Sequence, residues 1–248
     1  MYRIIFLLLC STLLASGGIA QQHTFVLVHG AWGGGWSFKK TDSLLRQSGN
    51  LVYRPTLSGL GERVHLASPD IDLDTHIKDV VNTILFENLH NVVLLGHSYG
   101  GMVVTGVADS IPERIAKLIY LDAFVPEDGQ SVNNARGLSG PGSEMPTKDG
   151  LVYPLWTKEG QGFPRDVPHP AKTFSQRIVL KNEKRLEIPT TYILTYEGDD
   201  SERDAFAFFA ASAERKGWKV ILMHADHNPQ MTMPEKLADL LEEVGGGT

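Results

Sequence analysis

The chain has 248 residues, 42% of them hydrophobic and 21% charged, with 25 Gly, 13 Pro and a single Cys. That composition fits a folded globular protein and excludes disordered, collagenous and coiled-coil classes. A formal charge of −6 supplies no basic field for a phosphate backbone, so nucleic acid is excluded as the expected partner.

The first twenty residues stand apart from the rest. Arg3 precedes an apolar run from Ile4 to Leu14, interrupted only at Ser11 and Thr12, and small residues Gly18 and Ala20 are placed for cleavage before Gln21. This pattern predicts a signal peptide over residues 1–20 and a secreted or periplasmic mature chain. The span is short for about 30 Å of hydrocarbon, so no stable membrane anchor is expected. Cleavage would remove Cys10, the lone cysteine, leaving neither a disulfide nor a thiol nucleophile.

Thr24 to His29 reads as a buried strand, stopped by the glycine-rich loop Gly30-Ala31-Trp32-Gly33-Gly34-Gly35. Trp36 to Gln47 predicts a helix ended at Gly49, followed by a strand at Leu51 to Tyr53 and a loop from Pro55 to Arg63. Thr75 is placed to cap a helix whose apolar residues Ile77, Val80, Val81, Ile84 and Leu85 recur at helical spacing, closing near His90. Val92-Val93-Leu94-Leu95 is continuous and apolar, as expected of a central parallel strand covered on both faces. Met102 to Ala108 reads as helix, and Lys117 to Leu121 as strand. Two more strands, over 188–196 and 218–224, flank a helix from Ala205 to Lys216, and a final helix begins at Pro234. The alternation specifies an α/β class with a mostly parallel central sheet flanked by helices.

Residues 124–186 break that alternation with Pro- and Gly-rich turns such as Gly137 to Gly142 and Phe163 to Pro170. They are expected to form a lid inserted into a core of residues 21–123 and 187–248. Phe124, Leu138, Met145, Tyr153, Leu155, Trp156 and Phe163 would line a pocket beneath it or pack it onto the body.

Gly96-His97-Ser98-Tyr99-Gly100 matches G-x-S-x-G directly between a strand and a helix, the setting in which a strained turn lifts a serine hydroxyl above a sheet. Ser98 is therefore the expected nucleophile. A hydroxyl needs a base, and His227, on the loop after the last strand, is preferred over His224 at the strand end. The orienting acid is expected after the strand ending at Tyr196, where Glu197, Asp199 and Asp200 all compete and position alone does not choose. Backbone amides of Ala31 and Tyr99 occupy the places that bind an oxyanion. No G-x-G-x-x-G, P-loop or paired metal-ligand histidines occur, so no cofactor and no metal are expected.

With these residues in place the chain resembles the α/β-hydrolase superfamily. More narrowly it resembles the branch of plant hydroxynitrile lyases, plant methyl esterases and bacterial EstC-type and pyrethroid-hydrolase-like esterases. The marks are Val26-Leu-Val-His-Gly-Ala-Trp32, Pro55-Thr-Leu-Ser-Gly-Leu-Gly-Glu-Arg63, Gly96-His-Ser-Tyr-Gly-Gly101, Tyr120-Leu-Asp-Ala-Phe-Val-Pro126 and Ala225-Asp-His227. The resemblance implies an α/β-hydrolase fold with an inserted lid. Matching the strand Tyr192 to Glu197 to similar esterases favours Glu197 as the acid, whereas counting back from the histidine by their spacing lands on Asp199. The lyases most similar to this chain carry a Thr after the first-strand histidine and a Lys after the catalytic histidine. Here those positions hold Gly30 and Asn228, which favours hydrolysis.

The expected activity is cleavage of a small-molecule carboxylic ester through an acyl-enzyme by a carboxylesterase-like serine hydrolase. The alternatives are a hydroxynitrile lyase or lactonase, and a non-enzymatic ligand receptor on the same fold.

Overall fold

The computed structural model describes residues 22–135, 146–158 and 160–246. The predicted signal peptide, with Cys10, and the expected lid residues Leu138 and Met145 lie outside the described residues. Strands and helices alternate in the first half: β1 (Thr24–Val28), α1 (Lys39–Gln47), β2 (Leu51–Tyr53), α2 (Leu73–Phe86), β3 (Val92–His97), α3 (Gly100–Ser110) and β4 (Ile115–Leu121). The short elements α4 (Val132–Ala135), β5 (Leu151–Val152), β6 (His169–Pro170) and α5 (Lys172–Ser175) come next. The alternation then resumes with β7 (Thr190–Tyr196), α6 (Ala207–Arg215), β8 (Lys219–His224), α7 (Pro229–Thr232) and α8 (Pro234–Gly246).

Six strands form one sheet in the order β2-β1-β3-β4-β7-β8, with every neighbouring pair parallel. Parallel pairing needs crossover connections, and helices supply them on both faces. Side chains alternate accordingly. Val26, Val28, Leu94 and Tyr120 face the core under α2, α3 and α6, while Phe25, Leu27, Val93, Leu95 and Ile119 face the core under α1 and α8. Connections from β1 lead outward to β2 on one side, and those from β3 lead to β4, β7 and β8 on the other. The order therefore switches between β1 and β3, and the crevice at their carboxyl ends is where such sheets bind ligands.

Four helix starts differ from the expectation, α1 beginning at Lys39 rather than Trp36 and α6 at Ala207 rather than Ala205. The cap of α2 is Asp72 rather than Thr75: its carboxylate accepts the Thr75 amide at 2.9 Å and the Thr75 hydroxyl at 2.7 Å, so the helix begins three residues earlier. Helix α3 begins at Gly100 rather than Met102, because the turn after β3 feeds straight into it, the Ser98 carbonyl accepting the Gly101 amide at 3.0 Å.

Between β4 and β7 the chain leaves the sheet. β5 and β6 pair as a short antiparallel ribbon, Val152 opposite His169, and the Trp32 indole N–H donates to the Val152 carbonyl at 3.0 Å. This region therefore packs onto the loop after β1. No described helix is long and apolar enough to cross a membrane.

Candidate active site

Ser98 follows the last residue of β3 with φ of 53°, in the left-handed region that non-glycine residues rarely enter. The turn is held open by close approach. A Cβ on Gly96 would lie 2.6 Å from the Gly100 carbonyl oxygen, and one on Gly100 would lie 2.8 Å from that of Val28. The glycines on either side of the serine are there because backbones pass where side chains cannot. The elbow is also tied to β4, since the Ser98 amide donates to the Leu121 carbonyl at 3.2 Å and its own carbonyl accepts from Phe124 at 3.1 Å.

The Ser98 hydroxyl donates to His227 Nε2 at 3.0 Å, although 129 residues separate them. On the far side of the ring, His227 Nδ1 donates to Asp122 Oδ2 at 2.5 Å. The other carboxylate oxygen of Asp122 accepts the Thr195 amide at 3.2 Å. Asp122 is itself in the left-handed region, with φ of 44°, directly after β4, and is 1% exposed. Burial pushes its pKa up, opposed by the hydrogen bond and charge of His227. A serine, an imidazole and a buried carboxylate in this order can draw the serine proton onto the ring and stabilise the imidazolium so formed.

The carboxylate against the ring is thus not one of the three expected from sequence. Glu197, Asp199 and Asp200 are exposed on the turn after β7, and Asp200 caps its own short turn by accepting the Glu202 amide at 3.0 Å. The reason lies in the strand ends. Asp122 leaves β4 with its amide bonded to Ile193 of β7, and its left-handed backbone turns the side chain toward the ring. The chain after Tyr196 runs out into solvent instead. The clue in the sequence is a lone carboxylate closing a buried apolar strand, Leu118-Ile-Tyr-Leu121.

His224 ends β8, exposed, with its ring on the edge of Tyr196. His97 is fully buried. Its Nε2 donates to the His227 carbonyl at 2.7 Å, and the two rings lie 4.7 Å apart. Burial first, and the neighbouring His227 second, hold its pKa well below the usual value, so it pins the His227 loop as a neutral group. Phe206 stacks on His227 with ring centroids 5.0 Å apart. The amides of Ala31 and Tyr99 have no acceptor among the described residues, and both residues line a cavity with Ser98. His29 donates through Nδ1 to the Gly30 carbonyl at 2.8 Å and accepts the Leu57 amide at 3.1 Å, which fixes the peptide plane that carries the Ala31 N–H. Among the described residues no group of three His, Cys, Asp or Glu side chains is placed to hold a metal ion.

The sequence pattern of the Alpha/beta hydrolase family matches residues 25–240. The chain belongs to that family. It is 36% identical over 247 residues to a carbendazim hydrolyzing esterase of Nocardioides sp. (strain SG-4G), spanning 89% of this chain and 99% of the relative. An alpha-hydroxynitrile lyase of Arabidopsis thaliana is 34% identical over 109 residues, 43% of this chain and 42% of the lyase. Among solved structures, an extracellular alpha/beta-hydrolase from a Paenibacillus species superposes with a TM-score of 0.71 at 25% identity, covering 91% of this chain and 99% of that one.

In this alpha/beta hydrolase two cavities meet at Ser98 and His227. One, of about 720 Å³, is walled by Phe124, Phe174, Phe206, Phe208 and Phe209. The other, of about 620 Å³, has Arg165, Asp166, Asp226, Asn228 and Gln230 among its lining. Trp32 and Trp156 border both, their rings 5.0 Å apart edge to face, and the Trp156 indole donates to Asp166 at 2.7 Å. Of the apolar residues expected over the pocket, Phe124 and Trp156 line it, while Tyr153, Leu155 and Phe163 are exposed and do not. The aromatic residues at 206, 208 and 209 come from the region around α6, where their spacing in the sequence reads as an ordinary helix face.

Proposed function

We propose that this protein is an exported serine esterase that hydrolyses small-molecule carboxylic esters, with Ser98 as nucleophile, His227 as general base and acid, and Asp122 as the orienting carboxylate. The observation that carries the reading is the continuous contact from Ser98 Oγ through His227 to buried Asp122 at the mouth of an aromatic cavity. As Ser98 attacks the carbonyl carbon, His227 Nε2 takes its proton and Asp122 stabilises the imidazolium. The oxyanion forms against the Ala31 and Tyr99 amides. Collapse of the tetrahedral intermediate expels the alcohol, which takes the proton from His227, and leaves an acyl-serine. Water activated by the same imidazole then releases the acid. The segment from 124 to 186 acts as the lid that selects substrates by size and polarity. The esterase activity of the Nocardioides relative supports the reaction class. A signal over residues 1–20 supports export, as does the extracellular location of the Paenibacillus relative.

The lyase reading is less favoured by this site. A Cβ at Gly30 would lie 3.0 Å from both His97 Nδ1 and Ser98 Cβ, so a threonine there would have to displace them. Asn228 brings no cation for a departing cyanide.

Ser98→Ala is expected to lower p-nitrophenyl ester turnover by about 10⁵-fold and to abolish fluorophosphonate labelling. Retained turnover would overturn the reading, and so would cyanide release from mandelonitrile without ester hydrolysis. Mass spectrometry of the exported protein should find an N-terminus at Gln21.

A further inference from the structure

Trp32 is a bulky residue held in the left-handed region, with φ of 62°, immediately after the amide expected to bind the oxyanion. Strain of that kind persists only where surrounding contacts over-determine it. Here they come from across the chain, out of the segment between β4 and β7. The Val167 amide donates to the Trp32 carbonyl at 2.9 Å, and the Trp32 amide donates to His169 Nδ1 at 3.1 Å, a contact 137 residues long in sequence.

The direction of that second bond is set by a relay behind the histidine. The Thr173 hydroxyl donates to the Pro170 carbonyl at 2.8 Å, so its oxygen presents a lone pair to His169 Nε2, also at 2.8 Å. Nε2 therefore carries the ring proton and Nδ1 is left as an acceptor. His169 is fully buried, stacked on Phe174 at 4.4 Å, and burial holds the ring neutral. An imidazole in this state can do one thing for Trp32, which is to accept its N–H.

An amide is aimed by the peptide planes on either side of it. The plane carrying the Ala31 N–H is fixed by His29 through the Gly30 carbonyl. The next plane, joining Ala31 to Trp32, is fixed at its carbonyl by the Gly33 amide at 2.7 Å and at its N–H by His169. We propose that His169 is a positioning residue for the oxyanion site, clamping the loop after β1 so that the Ala31 N–H points at the oxygen that becomes charged in the transition state. The inserted segment would then serve the chemistry as well as substrate fit, and the inference rests on the serine-esterase reading above.

A clamp on the oxyanion loop affects the transition state more than the bound substrate, and this separates it from a merely structural role. His169→Phe keeps the ring stack and removes the acceptor. It is expected to lower kcat by about 10- to 100-fold, less than the loss of an oxyanion donor itself, with KM within about twofold of wild type. Affinity for phenylboronic acid, whose tetrahedral adduct on Ser98 places an oxygen in the same site, should fall in parallel. His169→Asn, whose amide oxygen can stand near the Nδ1 position, should recover most of both losses. Thr173→Val keeps the histidine but frees its proton from Nε2, and should lower kcat and boronate affinity by about threefold or more, even if the Phe variant does not fold. The proposal is overturned if His169→Phe raises KM while kcat and boronate affinity hold, if Asn is no better than Phe, or if Thr173→Val matches wild type in both. Absence of ester turnover in the wild type, or full turnover by Ser98→Ala, would defeat the esterase reading itself, an outcome visible before any of these variants is made.

Discussion

The ends of β4 and β7 lie side by side in the sheet, yet they treat their carboxylates in opposite ways. After β7 three acidic side chains within four residues spread into solvent, where charge costs little and none of them meets the ring. After β4 a single aspartate is buried, bonded to Thr195 across the strands and pressed against His227 at 2.5 Å. Both positions satisfy the chain order nucleophile, acid, histidine, so order does not separate them. Burial and backbone conformation do. A carboxylate can hold one tautomer of an imidazole only where water does not compete for it.

Removing the carboxylate after β4 should have the largest effect. Asp122→Asn offers the ring an amide and allows the wrong tautomer, and kcat for a p-nitrophenyl ester is expected to fall by about 10³–10⁴-fold. A variant within tenfold of wild type would mean that another acid takes over, and the contrast between the two strand ends would break.

The next effect tests why the ring sits over β4 at all. His97 holds the His227 carbonyl from beneath the elbow, and His97→Leu leaves that carbonyl without its donor. Turnover should fall by about tenfold, mostly in kcat, because the ring drifts from Ser98 while the cavity walls stay in place. A change confined to KM would place His97 in substrate binding instead.

A null effect is expected after β7. The triple variant Glu197→Gln, Asp199→Asn, Asp200→Asn should stay within about twofold of wild type, as solvent-exposed charges are screened and contribute little. Loss of activity here, with Asp122→Asn still active, would return the acid to the place the sequence suggests.

Much of this site is legible in the sequence, and the part that is not has a physical cause. Ser98 stands out because glycines bracket it between a strand and a helix, and each is required by a backbone contact under 3 Å. His227 follows from its place after the last strand. The alternation of apolar runs gives the parallel sheet, since a strand buried on both faces, such as Val92 to Leu95, has few other readings. The carboxylate that meets the ring is harder to read, because a cluster of three carboxylates draws attention that one does not, and a left-handed residue at a strand end leaves no mark in composition. The same holds for α2, where Asp72 rather than Thr75 caps the helix: both are good capping residues, and only the backbone decides. The pocket walls around residues 206 to 209 were hidden for a related reason, as an aromatic helix face looks the same whether it covers a core or a cavity.

The smallest effect separates the two strand ends by stability rather than rate. Burial raises the pKa of Asp122 above its ordinary 3.8, so in acid the folded chain keeps that proton after the unfolded chain has released it. The stability linked to this group is therefore full below the ordinary value and declines as pH rises through it to the raised native value. Asp122→Asn does not titrate. Its melting temperature relative to wild type should climb between about pH 3 and pH 7, by about 2–4 °C for each kcal/mol of carboxylate penalty removed, while turnover is lost. A melting difference for Asp122→Asn that is flat with pH would mean that His227 fully compensates the buried charge, leaving the contrast between the two strand ends to catalysis alone.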